Sequence, residues 1–378
     1  MLFSEVINQH TAAAQLTGMV RNNRLSHALL LLGHEGAGGL PLGLAFAQYI
    51  VCINRGEQDA CGQCDQCRKA AAFVHPDIHY SYPVVPKKPG DKPVSTDYIR
   101  QWREFLDKNP YGNVMDWLQF IGSENKQGNI TAQECHEIIH KLSYKSFESE
   151  YKILLVWMPE YLGKEGNRLL KLIEEPPPGT IFILVAQNQE NILGTLLSRT
   201  QLVKLGTPGK DEISHALMQR TGVNAQAAGQ IAHICDGNFR EALILTVHGQ
   251  TDLLEQLRAW LNYIFTGQAK ALSDWIEEVS AGKTARENQK NFLRYFITLL
   301  EHALRLQYLD PRLIPLTPDE SDFAERLNKK LDFFQAEKMI RLLDEACYQI
   351  ERNANSKILF HALSIRMGYI FSRKPLPL

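Results

Sequence analysis

The 378-residue sequence predicts an α/β fold in which a parallel sheet carries helices on both faces and is followed by a wholly helical region. Three observations predict it. The first is a set of apolar runs of strand length: residues 28–32 (Ala-Leu-Leu-Leu-Leu), 152–156 (Lys-Ile-Leu-Leu-Val) and 181–185 (Ile-Phe-Ile-Leu-Val). Unbroken apolar runs read as strands buried on both faces, the pattern of parallel sheets. The second is the helical patterning between them, over residues 40–53 and 167–175. The latter is stopped by Pro176, Pro177 and Pro178, because proline lacks the N–H that a helix needs. The third is the change of pattern near residue 211. Three short helical segments fill 211–250, separated by Gly222 and Gly237, and longer amphipathic helices fill 253–371. One of these sets Ile340, Leu343, Cys347 and Ile350 on a single face. Residues 82–94, rich in proline and lysine, predict an exposed loop.

The length allows two or three domains. With 41 basic and 42 acidic residues the net charge is -1, so no global basic field draws the chain to nucleic acid. The first residues lack the charged-then-apolar order of a signal peptide, and no apolar stretch is long enough to span a bilayer, so a cytoplasmic protein is expected.

The strand at 28–32 runs into Gly33-His34-Glu35-Gly36-Ala37-Gly38-Gly39-Leu40. This is the frame of a P-loop, whose backbone N–H groups cradle phosphates while a lysine and a hydroxyl residue serve the terminal phosphates and magnesium. Here Gly39 stands at the lysine position and Leu40 at the Ser/Thr position. On the loop alone, an ordinary glycine-rich turn and a degenerate P-loop fit equally. The strand at 152–156 is expected to end in an acidic pair in a working NTPase, and it ends in Trp157-Met158-Pro159-Glu160. Glu160 comes two or three residues too late. Loss at both places removes the charges that offset negative charge developing at phosphate.

At this point the chain resembles the delta-prime subunits of the bacterial DNA polymerase III clamp loader, a branch of the AAA+ family, over roughly residues 1–250. Arg24-Leu25-Ser26-His27-Ala28 leading into the glycine-rich loop resembles that family's approach to its P-loop. Residues 167–177, Asn-Arg-Leu-Leu-Lys-Leu-Ile-Glu-Glu-Pro-Pro, resemble its N-x-L-L-K-x-x-E-E-P-P signature. Thr195-Leu196-Leu197-Ser198-Arg199-Thr200 resembles its T-x-x-S-R-C motif, with Thr200 in place of cysteine. Gly237-Asn238-Phe239-Arg240-Glu241-Ala242-Leu243 resembles a sensor-2 motif, and Ala186-Gln187-Asn188 stands at sensor 1. Beyond 253 the likeness is loose, Asn353-Ala354-Asn355 being similar to a recurrent family pattern.

The resemblance implies a RecA-like AAA+ domain over 1–210, a helical lid over 211–250 and a helical collar for oligomerisation over 251–378. It implies partners: ATPase subunits and a delta subunit in a ring, the sliding clamp, and primer-template DNA through the assembled complex. Arg199 is then an arginine finger acting on a neighbour's ATP site, a role suited to the planar, permanently charged guanidinium. With its own site lacking the chemical residues, the chain is expected neither to turn over ATP nor to hold it at Gly33, Gly36, Gly38 and Gly39. Arg240 is read as a helix arginine holding the lid by hydrogen bonds or ion pairs.

Cys52, Cys61, Cys64 and Cys67 offer four thiolates within sixteen residues. Two overlapping C-x₂-C steps, with Gly62 easing the turn, predict a closed, structural zinc site. An iron–sulfur cluster or reduced thiols are the alternatives. A four-cysteine insert also follows the P-loop helix in the clamp-loader family. His75 and His79 are read as loop histidines. Tyr111, Trp117 and Phe120 are read as packing residues, since no basic residues interleave them. Two rival functions remain: an ATP-hydrolysing motor subunit, and a zinc-dependent nucleic-acid-binding module. Against the second, Glu57, Asp59 and Asp65 offset Arg55, Arg68 and Lys69 around the cysteines.

Overall fold

The computed structural model describes residues 1–373 except 89, 125, 249, 282–284, 311–313, 315 and 352–353. Pro89 of the proline-rich segment and Asn353 therefore lie outside the described residues. The chain forms two compact units, the first comprising residues 1–216 with 236–240 and the second 217–235 with 241–378.

The first unit is built on five parallel strands: β1 (Ala28–Leu32), β2 (Ile78–Ser81), β3 (Lys152–Trp157), β4 (Thr180–Ala186) and β5 (Gln201–Lys204), in the order β2-β3-β4-β1-β5. The three apolar runs are its centre, with Leu154 opposite Phe182 and Leu30 opposite both Leu184 and Leu202. Alternation along each strand divides the side chains between two cores. Leu29, Leu31, Ile153, Leu155, Trp157, Ile183 and Val185 join the helix Gly39–Val51 on one face. Leu30, Leu154, Val156, Phe182 and Leu184 meet Ile138 and Leu142 of the helix Ala132–Ser143 on the other. Both faces are covered, as the unbroken apolar runs predict.

Three details depart from the sequence reading. β2 and β5 are additional strands at the two ends of the sheet, and only Val203 of β5 is buried, so neither carries an apolar run. The helix expected over 167–175 is shorter. Tight 3₁₀ turns occupy Pro159–Leu169, broken at Gly163, and the α-helix covers only Leu170–Glu174. The segment 82–94 is not an exposed loop throughout: Tyr82, Pro83, Val84 and Val85 are buried. Tyr82 stacks on Trp102 with centroids 4.0 Å apart. The irregular backbone there finds side-chain donors, Trp117 Nε1 to the Pro83 carbonyl at 2.7 Å and the Tyr98 hydroxyl to the Val85 carbonyl at 2.7 Å. Buried backbone polar groups require such partners, so aromatic packing draws in a segment whose composition reads as surface.

The second unit is helical. Its core stacks Trp260 on Trp275 at 5.5 Å, with Phe292 and Phe360 beside them, and Trp260 Nε1 donates to Ser364 Oγ at 2.9 Å. On the helix Phe333–Glu351, Met339, Leu343, Cys347 and Ile350 form the buried stripe, whereas Ile340 is half-buried. Asn355 caps the helix Ser356–Phe371 by accepting from the Ile358 N–H. No helix among the described residues is long and apolar enough to cross a membrane.

Candidate functional site

The glycine-rich turn lies where the sequence places it, after β1 and ahead of the helix Gly39–Val51. Gly36 and Gly38 have φ of 76° and 91°, values that L side chains avoid, so the turn uses glycine for its conformation. The space it encloses is about 20 Å³, roughly that of one water, and it is bounded by Leu40, Tyr111, Trp157, Met158 and Val185. Leu40, in place of a hydroxyl residue, is 4% exposed. A Cβ on Gly39 would lie 3.1 Å from Val185 Cγ1.

Where an acidic pair belongs, Trp157 packs on Trp102 with centroids 5.1 Å apart, and Met158 adopts a left-handed backbone at φ 58°. Glu160 does not face the turn. Its Oε1 accepts the backbone N–H groups of Gln187 and Asn188 at 2.6 and 2.9 Å. Burial raises its pKa above the usual carboxylate range, against the pull of those N–H groups. The Asn188 side chain is occupied in turn, accepting from the Glu190 N–H.

Arg240 is internally paired, as read from the sequence. Its side chain is 5% exposed and forks onto Asp116, with Nη2 to Oδ1 at 2.6 Å and Nε to Oδ2, while Nη1 reaches Glu35 Oε1 at 3.2 Å. Asn113 Nδ2 donates to Glu35 Oε2 at 3.1 Å, and Asn238 Nδ2 reaches Glu35 Oε1 at 3.4 Å. The turn's own carboxylate thus occupies the arginine and both amides. Sequence reasoning missed Glu35, Asn113 and Asp116. The one local signal is Asn113-x-x-Asp116, which caps the helix Val114–Phe120 reciprocally.

Arg199 follows the short helix Gly194–Leu197, just ahead of β5. Its side chain is one-third exposed and is not free of internal partners. Nε donates to Glu174 Oε1 at 2.5 Å, and Nη1 donates to the Thr195 carbonyl at 2.9 Å. The guanidinium is committed within the chain because Glu174 of the Glu-Glu-Pro-Pro segment lies within reach.

Cys52, Cys61, Cys64 and Cys67 converge, with all four sulfur atoms within 4.8 Å of one another. Cys52 Sγ and Cys61 Sγ are 3.5 Å apart, and Cys61 Sγ and Cys67 Sγ 3.9 Å. A tetrahedron of sulfurs at the usual zinc distance has edges of about 3.8 Å, so the four thiols fit a closed metal site. Backbone N–H groups point at the sulfurs, Cys61 N at Cys52 Sγ and Cys64 N at Cys61 Sγ, at 3.3 and 3.4 Å. Such donors favour thiolate, and the N–H groups of Gln63 and Cys64 draw the Cys61 thiol down to about 6. Cys52 follows the helix Gly39–Val51 and Cys67 lies in Asp65–Ala71, so two helices and the turn at Gly62 position the set. His75 is engaged elsewhere, with Nε2 on Gln66 Oε1 and Nδ1 accepting from the Asp77 N–H.

A parallel five-stranded sheet in the order β2-β3-β4-β1-β5, with a P-loop-like turn leading from β1 into a helix N-terminus, makes the first unit a RecA-like AAA+ fold. Residues 8–208 match the family described as DNA polymerase III, delta subunit, and the chain belongs to that family. It is 28% identical over 201 residues to the DNA polymerase III subunit delta' of Haemophilus influenzae, covering 53% of this chain and 49% of the relative. It is 23% identical over 250 residues to subunit tau/gamma of the same organism, covering 65% of this chain and 30% of the relative. Against the delta' relative, the chain spans about half of that protein's length. A gamma-subunit-related protein of Thermotoga maritima aligns over 94% of this chain and 99% of its own at a TM-score of 0.43 and 15% identity.

Proposed function

We propose that this chain is a non-catalytic subunit of the DNA polymerase III clamp loader, a cytoplasmic ring that places the sliding clamp on primer-template DNA. In that ring, residues 211–250 serve as the lid and 251–378 as the collar that joins ATPase and delta subunits. The observation that carries this reading is the closed glycine-rich turn. Its space of about 20 Å³, the side chain of Leu40 and, among the described residues, the pairing of Arg240 with Glu35 and Asp116 support a turn that does not hold a triphosphate. Arg199, by contrast, keeps a partly exposed guanidinium in a Thr-x-x-Ser-Arg setting. On assembly it exchanges Glu174 for a neighbour's phosphate, a bidentate partner of greater charge. Zinc at the four cysteines is structural in this reading, holding the module's turn to the helices that flank it.

The test reconstitutes the complex with the ATPase subunits of the same cell. Arg199→Ala is expected to lower clamp-stimulated ATP turnover partly, because one site of several loses a finger worth on the order of 10³-fold or more. Arg199→Lys does not restore it, lacking the planar fork. The melting temperature of the isolated chain stays put, since a half-exposed ion pair contributes about 0–1 kcal/mol. An unchanged rate, or a large stability loss, assigns Arg199 to structure alone.

The similarity to tau/gamma over 65% of this chain favours a second reading, an ATP-hydrolysing motor subunit. Turnover by the pure chain that vanishes when the Gly33–Leu40 turn is altered would decide for it.

A further inference from the structure

We propose that a cavity beside the edge strand β2 binds a small oxyanion on a compact apolar body, held by Arg103, Lys141 and the Tyr80 hydroxyl. Its volume is about 230 Å³, against about 20 Å³ at the glycine-rich turn. That is room for several waters or one small organic acid. β2 ends the sheet, and residues 73–80 enter it, so the cavity lies toward the strands' N-terminal ends. The glycine-rich turn follows the C-terminal end of β1 in the same parallel sheet, which makes the two places distinct.

The lining has an apolar floor and a polar side. Ile99, Ile138, Leu142 and Leu154 supply the floor. On the polar side stand groups whose hydrogen-bonding capacity the described protein does not use. Tyr80 is 8% exposed, and its hydroxyl has no partner among the described residues. That hydroxyl is not sealed from solvent, so a ligand in the cavity can accept from it in place of water. Arg103 spends only Nε, on the Phe73 carbonyl at 3.0 Å, so its two terminal nitrogens remain available. It lies near enough to Tyr80 to oppose the effect of burial on the phenol. Lys141 has no hydrogen-bond partner among the described residues and makes no ion pair there.

One carboxylate faces the same space and has to be weighed. Glu134 is buried, its Oε2 accepts the Ser95 N–H at 2.7 Å, and burial raises its pKa. That carboxyl is engaged by Ser95 and lies near Lys141, while the terminal nitrogens of Arg103 have no hydrogen-bond partner among the described residues. His79 also lines the cavity, and burial followed by the charge of Lys141 lowers its pKa. Two cations against one engaged carboxylate select an anion. The planar fork of Arg103 suits a carboxylate or a phosphate, and the apolar floor suits a short hydrocarbon or ring.

Benzoate and inorganic phosphate, titrated separately into the full chain by calorimetry at constant ionic strength, test the site. One saturable event with either anion is expected. Lys141→Met should weaken it about ten-fold, as for loss of a charge-assisted hydrogen bond. Tyr80→Phe should weaken it several-fold while leaving the melting temperature nearly unchanged, since the hydroxyl has no protein partner to lose. Tighter binding of benzoate identifies an organic acid, and tighter binding of phosphate a phosphate ester. Absence of saturable binding by both anions, or binding that Lys141→Met and Tyr80→Phe leave unchanged, overturns the proposal.

Discussion

The glycine-rich turn and the cysteine cluster flank one helix, Gly39–Val51, and they fill their interiors in opposite ways. At the N-terminal end, the glycine-rich turn borders only a small space lined by Leu40, Trp157 and Met158, while the turn's Glu35 pairs with Arg240. At the C-terminal end, four sulfurs lie close together, and those of Cys52 and Cys61 accept backbone N–H groups. The contrast separates two requirements of a site. Converging side chains are set by local spacing, so the cysteines show them directly. A free interior depends on everything packed around it, and there the two ends differ.

The largest test removes a ligand. Cys67→Ser is expected to drop bound metal from one zinc per chain to less than about half an equivalent, and to cost more than about 4 kcal/mol, since metal binding is folding energy in such modules. Elemental analysis of protein purified without added metal, beside a denaturation curve, reads both. Full stability with four reactive thiols in the unaltered chain would erase the contrast.

A second test breaks the internal anion network at the other end. Asp116→Asn should cost about 3 kcal/mol, because it leaves the buried Arg240 short of its forked partner. ATP should still not bind, as calorimetry can check, since Gly39 and Leu40 are unaltered. If ATP binds once Asp116 is changed, the turn is gated by that ion pair rather than filled.

Restoring the chemical residues sharpens the point. The double change Gly39→Lys and Leu40→Thr should destabilise by about 1–3 kcal/mol, through the crowding against Val185 and the loss of a buried leucine. It should create no turnover, because Trp157 and Met158 supply no magnesium ligand. Measured hydrolysis by this variant would show that side-chain identity alone closed the site.

The smallest effect is in pH dependence. The Glu160 carboxyl has its folded pKa raised above the unfolded value of 4.5, so the folded state binds the proton more tightly. Its contribution is fully present below pH 4.5 and is lost as pH rises through the folded value. Glu160→Gln should flatten that limb by less than about 1 kcal/mol in urea titrations between pH 4 and 7. A limb of opposite slope that the substitution abolishes would mark Glu160 as a stabilised carboxylate, of the kind that holds a cation.

How much was legible differs by element. β1, β3 and β4 were read directly because burial on both faces demands unbroken apolar runs. β2 and β5 were not, since an end strand such as Gln201–Lys204 buries a single side chain and leaves no such run. The segment 82–94 was misread because proline and lysine dominate it, while its burial comes from Trp102 and Trp117, which lie far along the chain. At the candidate site the missing lysine, hydroxyl and acidic pair were visible at fixed spacings. Glu35, Asn113 and Asp116 were not, and Arg240 and Asp116 are 124 positions apart.

The sequence by itself determined the class of fold, the glycine-rich turn without a P-loop's lysine and hydroxyl, and the cluster of four cysteines. Each is a local pattern, fixed by strand and helix periodicity or by the reach of a few residues. Only the tertiary structure decided how little space the turn borders, that Arg199 rests on Glu174, and that Tyr80, Arg103 and Lys141 border one cavity. Those outcomes depend on which distant side chains arrive at the same point, and on whether space and polar partners remain for them once they do.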